Sequence, residues 1–258
     1  MDLSPNRMKR WLAERPVRAP IGSWLMTASP LAAEAMGHAG FDFLVLDMEH
    51  VPVSLNTAFT LMQAVGGTPA DVVVRLPGHS PVMVKRVMDA GARTLMFPFV
   101  ETPDEARAAV AATRYPPEGI RGAAAMTRAS GYGTIEGYLA KANREACVIV
   151  QLESPAAIAR LPEIAAVEGV DAVFTGPGDL AVAMGHPGNP GADEVQAVLR
   201  DAAGEATRLG TACGIVGPSV EMVQGYLDAG FSFAAIASDL AFIMSGARGA
   251  LSSLRGPQ

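Results

Sequence analysis

A hydroxyl residue followed at once by proline recurs along this chain, and each time it opens a stretch of helical composition soon after an apolar run. Ser29-Pro30, Ser80-Pro81, Thr102-Pro103 and Ser154-Pro155 each set a capping side chain before a proline at the first helical position, where the missing N–H is not needed. Thr102 is followed three residues on by Glu105, the pattern of a reciprocal capping box. The matching stops are Ala39-Gly40, Ala90-Gly91, Leu209-Gly210 and Ala229-Gly230, where a glycine able to take positive φ ends a helix. Short apolar runs follow the stops, and eight such runs can be marked, at 22–26, 43–47, 72–76, 94–98, 147–152, 172–175, 212–216 and 233–237. Being almost wholly apolar rather than alternating, they read as strands covered on both faces, hence parallel and joined by helical crossovers. Eight strand-and-helix units predict a closed (β/α)8 TIM barrel, an α/β fold forming a single domain over residues 1–258. A doubly wound open sheet is the competing architecture, but no Gly-x-Gly-x-x-Gly turn follows the first strand.

Two stretches exceed this count. Residues 115–134 form a long excursion punctuated by glycine and proline between the fourth and fifth strands, and long loops on compact domains are often functional. The tail, 239–258, carries Leu240, Phe242, Ile243 and Met244, more apolar surface than one short terminal helix hides. It reads as the last barrel helix, packing on a neighbouring subunit.

The net charge of -6 and pI near 5.3 argue against nucleic acid or an anionic membrane as the main partner and favour small molecules. No run of about 18 apolar residues occurs, and residues 1–20 lack a signal-type apolar segment. A soluble, cytoplasmic protein is the expectation. Cys147 and Cys213 lie inside apolar runs without metal-type spacing, so packing is expected of them rather than a disulfide.

In a (β/α)8 barrel the reacting groups sit at the C-terminal ends of strands, so polar residues at those ends can be gathered from the sequence. The second strand ends in Asp47-Met48-Glu49-His50, the third reaches Arg75, the fifth carries Gln151 and Glu153, and Asp179 follows the sixth. Glu153 and Asp179 emerge from successive strands and suit a hard cation, since Mg²⁺ is usually held by one or two protein carboxylates. The plainer alternative is that each caps the helix that follows. Arg75 suits a carboxylate or a developing enolate oxygen, or else a structural ion pair with Asp47 or Glu49. His50 is the histidine at a strand end, and Asp47 three residues back could hold its tautomer. Gln151 and Glu153 share one face of the pleat, so both face one cavity. The turn Gly176-Pro177-Gly178-Asp179 brings backbone N–H groups to the opening of a helix. The only lysines, Lys9, Lys85 and Lys141, avoid the strand ends, which leaves Schiff-base chemistry without its nucleophile.

These residues, with Gly40-Phe41-Asp42, Val74-Arg75, Pro98-Phe99-Val100, the segment from Arg114-Tyr115-Pro116-Pro117 to Gly122, Val150-Gln151-Leu152-Glu153 and Glu168-Gly169-Val170-Asp171, resemble the HpcH/HpaI family of class II pyruvate aldolases. The type activity of that family is 4-hydroxy-2-oxoheptanedioate aldolase. The motifs are equally similar to 2-dehydro-3-deoxyglucarate and 2-keto-3-deoxy-L-rhamnonate aldolases. The resemblance implies that Glu153 and Asp179 ligate a divalent metal, Mg²⁺, Mn²⁺ or Co²⁺, and that pyruvate chelates it. Gln151 and the N–H groups around Gly178 and Asp179 would hold the pyruvyl end, Arg75 would stabilise the enolate on the metal, and His50 with Asp47 would relay the proton of the C4 hydroxyl. It further implies pyruvate and an aldehyde as reactants and a homohexamer, a trimer of dimers with an exchanged C-terminal helix at about 239–254. Met48, Gly178 and the weakly polar loop 123–128 depart from the family pattern and bear on the acceptor aldehyde. Other readings of the same site are lysis of an acyl-CoA, decarboxylation of oxaloacetate, and a barrel retained for binding alone.

Overall fold

The computed structural model describes residues 2–256. Its first half runs α1 (Arg7–Glu14), β1 (Ile21–Leu25), α2 (Pro30–His38), β2 (Phe43–Asp47), α3 (Leu55–Gly66), β3 (Asp71–Arg75), α4 (Pro81–Asp89), β4 (Thr94–Phe97) and α5 (Pro103–Thr113). Then come α6 (Tyr138–Glu145), β5 (Cys147–Leu152), α7 (Pro155–Ala159), α8 (Leu161–Ala165), β6 (Ala172–Thr175) and α9 (Pro177–Ala183). The chain closes with α10 (Asp193–Leu209), β7 (Ala212–Gly217), α11 (Val220–Asp228), β8 (Phe233–Ser238) and α12 (Asp239–Arg255). The eight strands pair in parallel, in chain order, and β8 returns to β1 to close the barrel. All eight strands expected from the apolar runs are present, with ends that differ by at most a residue. The four Ser/Thr-Pro starts cap α2, α4, α5 and α7, and the capping box at Thr102 and Glu105 is formed in both directions.

Alternation along the strands divides the core. Leu44, Leu46 and Val74 face the surrounding helices, whereas Phe43, Val45, Val73 and Ile149 fill the barrel interior. Rings dominate that inner layer: Phe233 lies 5.8 Å from Phe174 and 6.1 Å from Phe43, centroid to centroid. Gly214 makes this possible, because a Cβ there would fall 2.3 Å from the Phe233 ring. Cys147 and Cys213 are buried and free, as packing residues would be.

The floor of the barrel carries an element that the periodic runs did not announce. Helix α1 inserts Met8 and Leu12 beneath the inner layer. Asn6 pins it, donating to the carbonyls of Arg93 and Glu145 and to Thr94 Oγ1, and accepting the Lys9 N–H as N-cap. Lys9 is consumed here too, on the Ala146 carbonyl and Asp171.

The long excursion also belongs to this end. It follows a helix rather than a strand, and Arg128 within it donates to the Ala90 carbonyl where α4 stops. Arg121 is buried against Asp89 at 2.7 Å and lies over the Tyr115 ring. Helix-to-strand connections of a barrel lie opposite the reacting end, so the excursion sits away from the mouth of its own barrel. At the other extreme α12 meets β1, β8 and α2 near its root, where Phe242 stacks on Phe41, and residues 240–255 are all exposed. Among the described residues no helix is long and apolar enough to cross a membrane.

Because Asn6 holds the floor through four groups, Asn6→Ala should cost about 2 kcal/mol. That corresponds to a fall of roughly 4–8 °C in melting temperature, measurable by thermal denaturation, with ligand binding at the far mouth unchanged.

Candidate active site

The inner rows of β2, β3 and β5 end in polar residues at the mouth. Phe43 and Val45 lead to Asp47, Val73 to Arg75, and Cys147 and Ile149 to Gln151, so these polar side chains form the top layer of an otherwise apolar interior. Glu153 continues the β5 row one step past the strand end. The cavity above this layer measures about 440 Å³, a size suited to a small metabolite. Asp47, His50, Arg75, Gln151, Glu153, Gly178 and Asp179 all line it, with Trp24, Met26 and Val216 among the apolar walls. Every site residue expected from the sequence is thus brought to one mouth.

Strand register explains the central pair. Asp47 and Arg75 are direct partners on neighbouring strands, and their side chains lock in a fork, Nε to Oδ1 at 3.0 Å and Nη2 to Oδ2 at 2.7 Å. The remaining nitrogen, Nη1, lies 2.9 Å from Glu49 Oε2, and the guanidinium sits over the Trp24 ring at 4.3 Å. Both carboxylates named as possible ion-pair partners are therefore engaged, and Arg75 is a rigid, fully positioned charge.

This geometry corrects the pairing of Asp47 with His50. Asp47 Oδ1 accepts the backbone N–H groups of Glu49 and His50 at 2.9 and 3.4 Å, but both carboxylate oxygens also serve Arg75, and the imidazole is not among the partners of Asp47. The physical reason is that the register delivers a charged donor with two parallel N–H groups to a buried carboxylate, and charge-assisted forked bonds win over a single imidazole N–H. The carboxylate nearest His50 is Glu49, with Nε2 3.8 Å from Oε2, and the imidazole is half exposed at the rim.

Glu153 is 2 % exposed and does not cap the following helix; Ser154 does. Its Oε2 accepts the Phe99 N–H at 3.1 Å and its Oε1 accepts from Gln151 Nε2 at 3.1 Å. Phe99 aims that N–H from a left-handed conformation, φ 47°, which is strained for a residue with a side chain. Gly176 supplies the space, since a Cβ there would lie 2.4 Å from Glu153 Oε1. Burial is the main force pushing the Glu153 carboxyl up to about 7; the Phe99 N–H opposes it, and the nearby charges of Asp179 and Glu49 add to the rise. Burial likewise raises the Glu49 carboxyl, against the pull of Arg75. Asp179, in the first turn of α9, makes no hydrogen bond or ion pair among the described residues and does not cap its helix.

Two carboxylates on one cavity, one with no side-chain partner and one that burial pushes up to about 7, fit a hard divalent cation. Gln151 Oε1 is buried beside them without a hydrogen-bond partner. Among the described residues no three His, Cys, Asp or Glu side chains are grouped to hold a metal unaided, so Glu153 and Asp179 would leave most positions to water and ligand, as Mg²⁺ prefers. Sequence reasoning gave no role to Trp24 or to the Phe99 N–H. Trp24 shares the inward parity of β1 and could have been found that way; a backbone N–H leaves no signal in side-chain identity.

A model of the family HpcH/HpaI aldolase/citrate lyase matches residues 20–245. The 2-dehydro-3,6-dideoxy-6-sulfogluconate aldolase of Pseudomonas putida is 49 % identical over 240 residues, 93 % of this chain and 94 % of that one. The 5-keto-4-deoxy-D-glucarate aldolase of Citrobacter koseri is 43 % identical over 244 residues, 95 % and 94 % of the two chains. Among solved structures, an HpcH/HpaI aldolase/citrate lyase family protein from Burkholderia cenocepacia superposes with a TM-score of 0.94 at 38 % identity, over 97 % of this chain and all of that one. With a matching family model across most of its length and full-length relatives at this identity, the chain belongs to the HpcH/HpaI aldolase/citrate lyase family and is an aldolase, a carbon–carbon lyase.

Proposed function

We propose that the chain catalyses reversible aldol cleavage, dependent on a divalent cation such as Mg²⁺, Mn²⁺ or Co²⁺, of a six-carbon 3-deoxy-2-oxo acid with a second anionic group at its far end. The products are pyruvate and a three-carbon aldehyde. The observation that carries the reading is the placement of Glu153 and Asp179 on one cavity beside the fixed charge of Arg75. The substrate skeleton is taken from the relatives. By name, one acts on a six-carbon acid ending in a sulfonate and the other on one ending in a carboxylate. It replaces the seven-carbon diacid expected from the family's type activity.

When bound, the cation supplies the electron sink that a lysine amine would otherwise provide; no lysine lines this cavity among the described residues. Gln151 keeps a second amide hydrogen for the pyruvyl carboxylate, with the N–H groups of Gly178 and Asp179 beside it. Arg75 presents its charge to the C2 oxygen as that oxygen becomes negative, and its three engaged nitrogens mean that nothing need reorganise. His50 takes the proton of the C4 hydroxyl; the C4 oxygen becomes the aldehyde carbonyl, and the electrons of the C3–C4 bond pass to C3 and C2. Glu49 is near enough to steady the imidazolium so formed. In the same reading the protein is a homo-oligomer, a hexamer as in the family, with Leu240, Ile243, Leu251 and Leu254 of the exposed α12 covered by a second copy.

Glu153→Gln should lose Mn²⁺ binding by calorimetry and slow cleavage by on the order of 10²-fold or more. Pyruvate released at the normal rate by this variant, or by chelated enzyme, would show the reading to be wrong.

Gly176→Ala should act in the same direction without replacing a ligand, because the new methyl displaces Glu153 Oε1. A metal affinity lower by on the order of 10-fold or more, with an unchanged circular dichroism spectrum, is the expected result.

The raised Glu153 carboxyl also sets a pH dependence. In the metal-free fold it keeps its proton up to about 7, while the unfolded chain releases it near 4.5. The native state therefore binds more protons between these values, and stability falls as pH rises through that window, by on the order of 3 kcal/mol. Thermal melts of metal-free protein at pH 5 and pH 8 should show the fall, and Glu153→Gln should reduce it.

A further inference from the structure

In the closed ring β1 lies four strands from β5, so the wall facing Glu153 across the cavity is built by the ends of β1 and β8: Met26, Ala237, Ser238 and Ala241. One buried carboxylate holds that wall together. Asp239, the first residue of α12, is 3 % exposed. It accepts the Met26 N–H at 2.7 Å, the Thr27 N–H at 3.2 Å, the Thr27 hydroxyl at 2.5 Å and the Leu240 N–H at 2.8 Å. Capping α12 does not require this arrangement, because Ser238 already caps it through the Ala241 N–H. Three of the four hydrogens come instead from the turn that follows β1. Both chains entering the clamp are strained: Ala28 holds φ 53° and Ala237 φ 48°, a region that costs an alanine on the order of 1 kcal/mol. Such conformations persist where the surroundings impose them, and Asp239 is the group that joins the two.

We propose that Asp239 is a positioning residue for the acceptor half of the substrate: by tying Met26 and Thr27 to the root of α12, it sets the wall against which the aldehyde is held. The inference rests on the aldolase reading and deepens it. None of the groups assigned to the pyruvate half, Glu153, Asp179, Gln151 or Arg75, bonds to Asp239 or to the segment it clamps. The wall itself is largely apolar, with the Ser238 hydroxyl spent on its helix cap, so it acts through shape. A shift of about 1 Å there turns the aldehyde carbonyl away from the attacking carbon, a displacement that can cost on the order of 10²-fold in rate, and leaves the formation of that carbon nucleophile alone. Asp239→Asn keeps the volume but puts an NH2 group among donors that need an acceptor, which opens the clamp.

The experiment reads the two halves separately on Mn²⁺-loaded protein. Exchange of the pyruvate methyl hydrogens in D2O, followed by NMR without aldehyde, reports the pyruvate half. Condensation of pyruvate with a three-carbon 2-hydroxyaldehyde ending in a carboxylate or sulfonate, and with acetaldehyde, reports the acceptor half. For Asp239→Asn the expected result is exchange near the wild-type rate, an aldehyde KM higher by on the order of 10-fold, and a collapsed preference between the two aldehydes. Thr27→Val, which removes one of the four bonds, should move the same way by less, and it carries the test if Asp239→Asn does not fold. Exchange and condensation falling in equal proportion would mark a merely structural role and overturn the proposal, as would no change in either. Wild-type protein showing no metal-dependent exchange is a separate result, which defeats the aldolase reading itself.

Discussion

A guanidinium inside the rim of a barrel must be paired, and the pairing of Arg75 organises the mouth of this one. Asp47 meets it across adjacent strands, Glu49 takes the remaining nitrogen, and Trp24 covers its face. Those two carboxylates overcompensate a single positive charge, and Glu153 and Asp179 add two more on the same cavity. Four carboxylates against one guanidinium leave a local excess of negative charge in a place that burial keeps poorly solvated. The protein answers part of it by holding Glu153 protonated near neutrality. In the proposed reading a divalent cation would answer the rest, so the same imbalance that would destabilise an empty mouth would be a source of affinity for metal.

The division of labour between the two ends of the barrel follows from which way the strands run. Strand-to-helix turns carry Glu49, His50, Phe99, Glu153 and Asp179, which gather at the candidate site with the strain and burial common at functional sites. The opposite end carries Asn6, at the start of α1, and Arg121 and Arg128 of the helix-to-strand excursion, which donate to carbonyls or a carboxylate. The long excursion illustrates the point: its length drew attention to function, yet its arginines stop helices and brace the floor.

How much of this was legible depended on whether the signal was local. Caps, stops and apolar runs are local, and they located eight strands and hence every strand end that carries a site residue. Inward parity is also local, and it placed Gln151 and Glu153 on one side of the pleat from the sequence alone. Register is not. The spacing of Asp47 and His50 suggested a pair, but the partner of Asp47 comes from the next strand, 28 residues on, and only the ladder decides that. Helix α1 escaped for another reason: its inward face is just Met8 and Leu12 amid charges, too short a stripe to stand out from a solvated segment.

The acceptor side raises a question of charge. The proposed aldehyde ends in an anion, yet the wall opposite the carboxylates is largely apolar and Arg75 is already committed to Asp47 and Glu49. Of the groups lining the cavity, His50 alone can gain positive charge, and it is half exposed at the rim. An anion placed beside it stays in water, where its charge needs little from the protein, so selection for that end falls to shape. Shape at this mouth is set by small residues in strained turns, Ala237 and Ala28, and by open space at Gly178, which a Cβ would not fill. In the proposed reading, specificity of this kind is easily retuned without disturbing the groups assigned to the metal and the pyruvyl end. That is consistent with relatives of nearly equal identity whose names share a six-carbon skeleton and differ in the group that ends it.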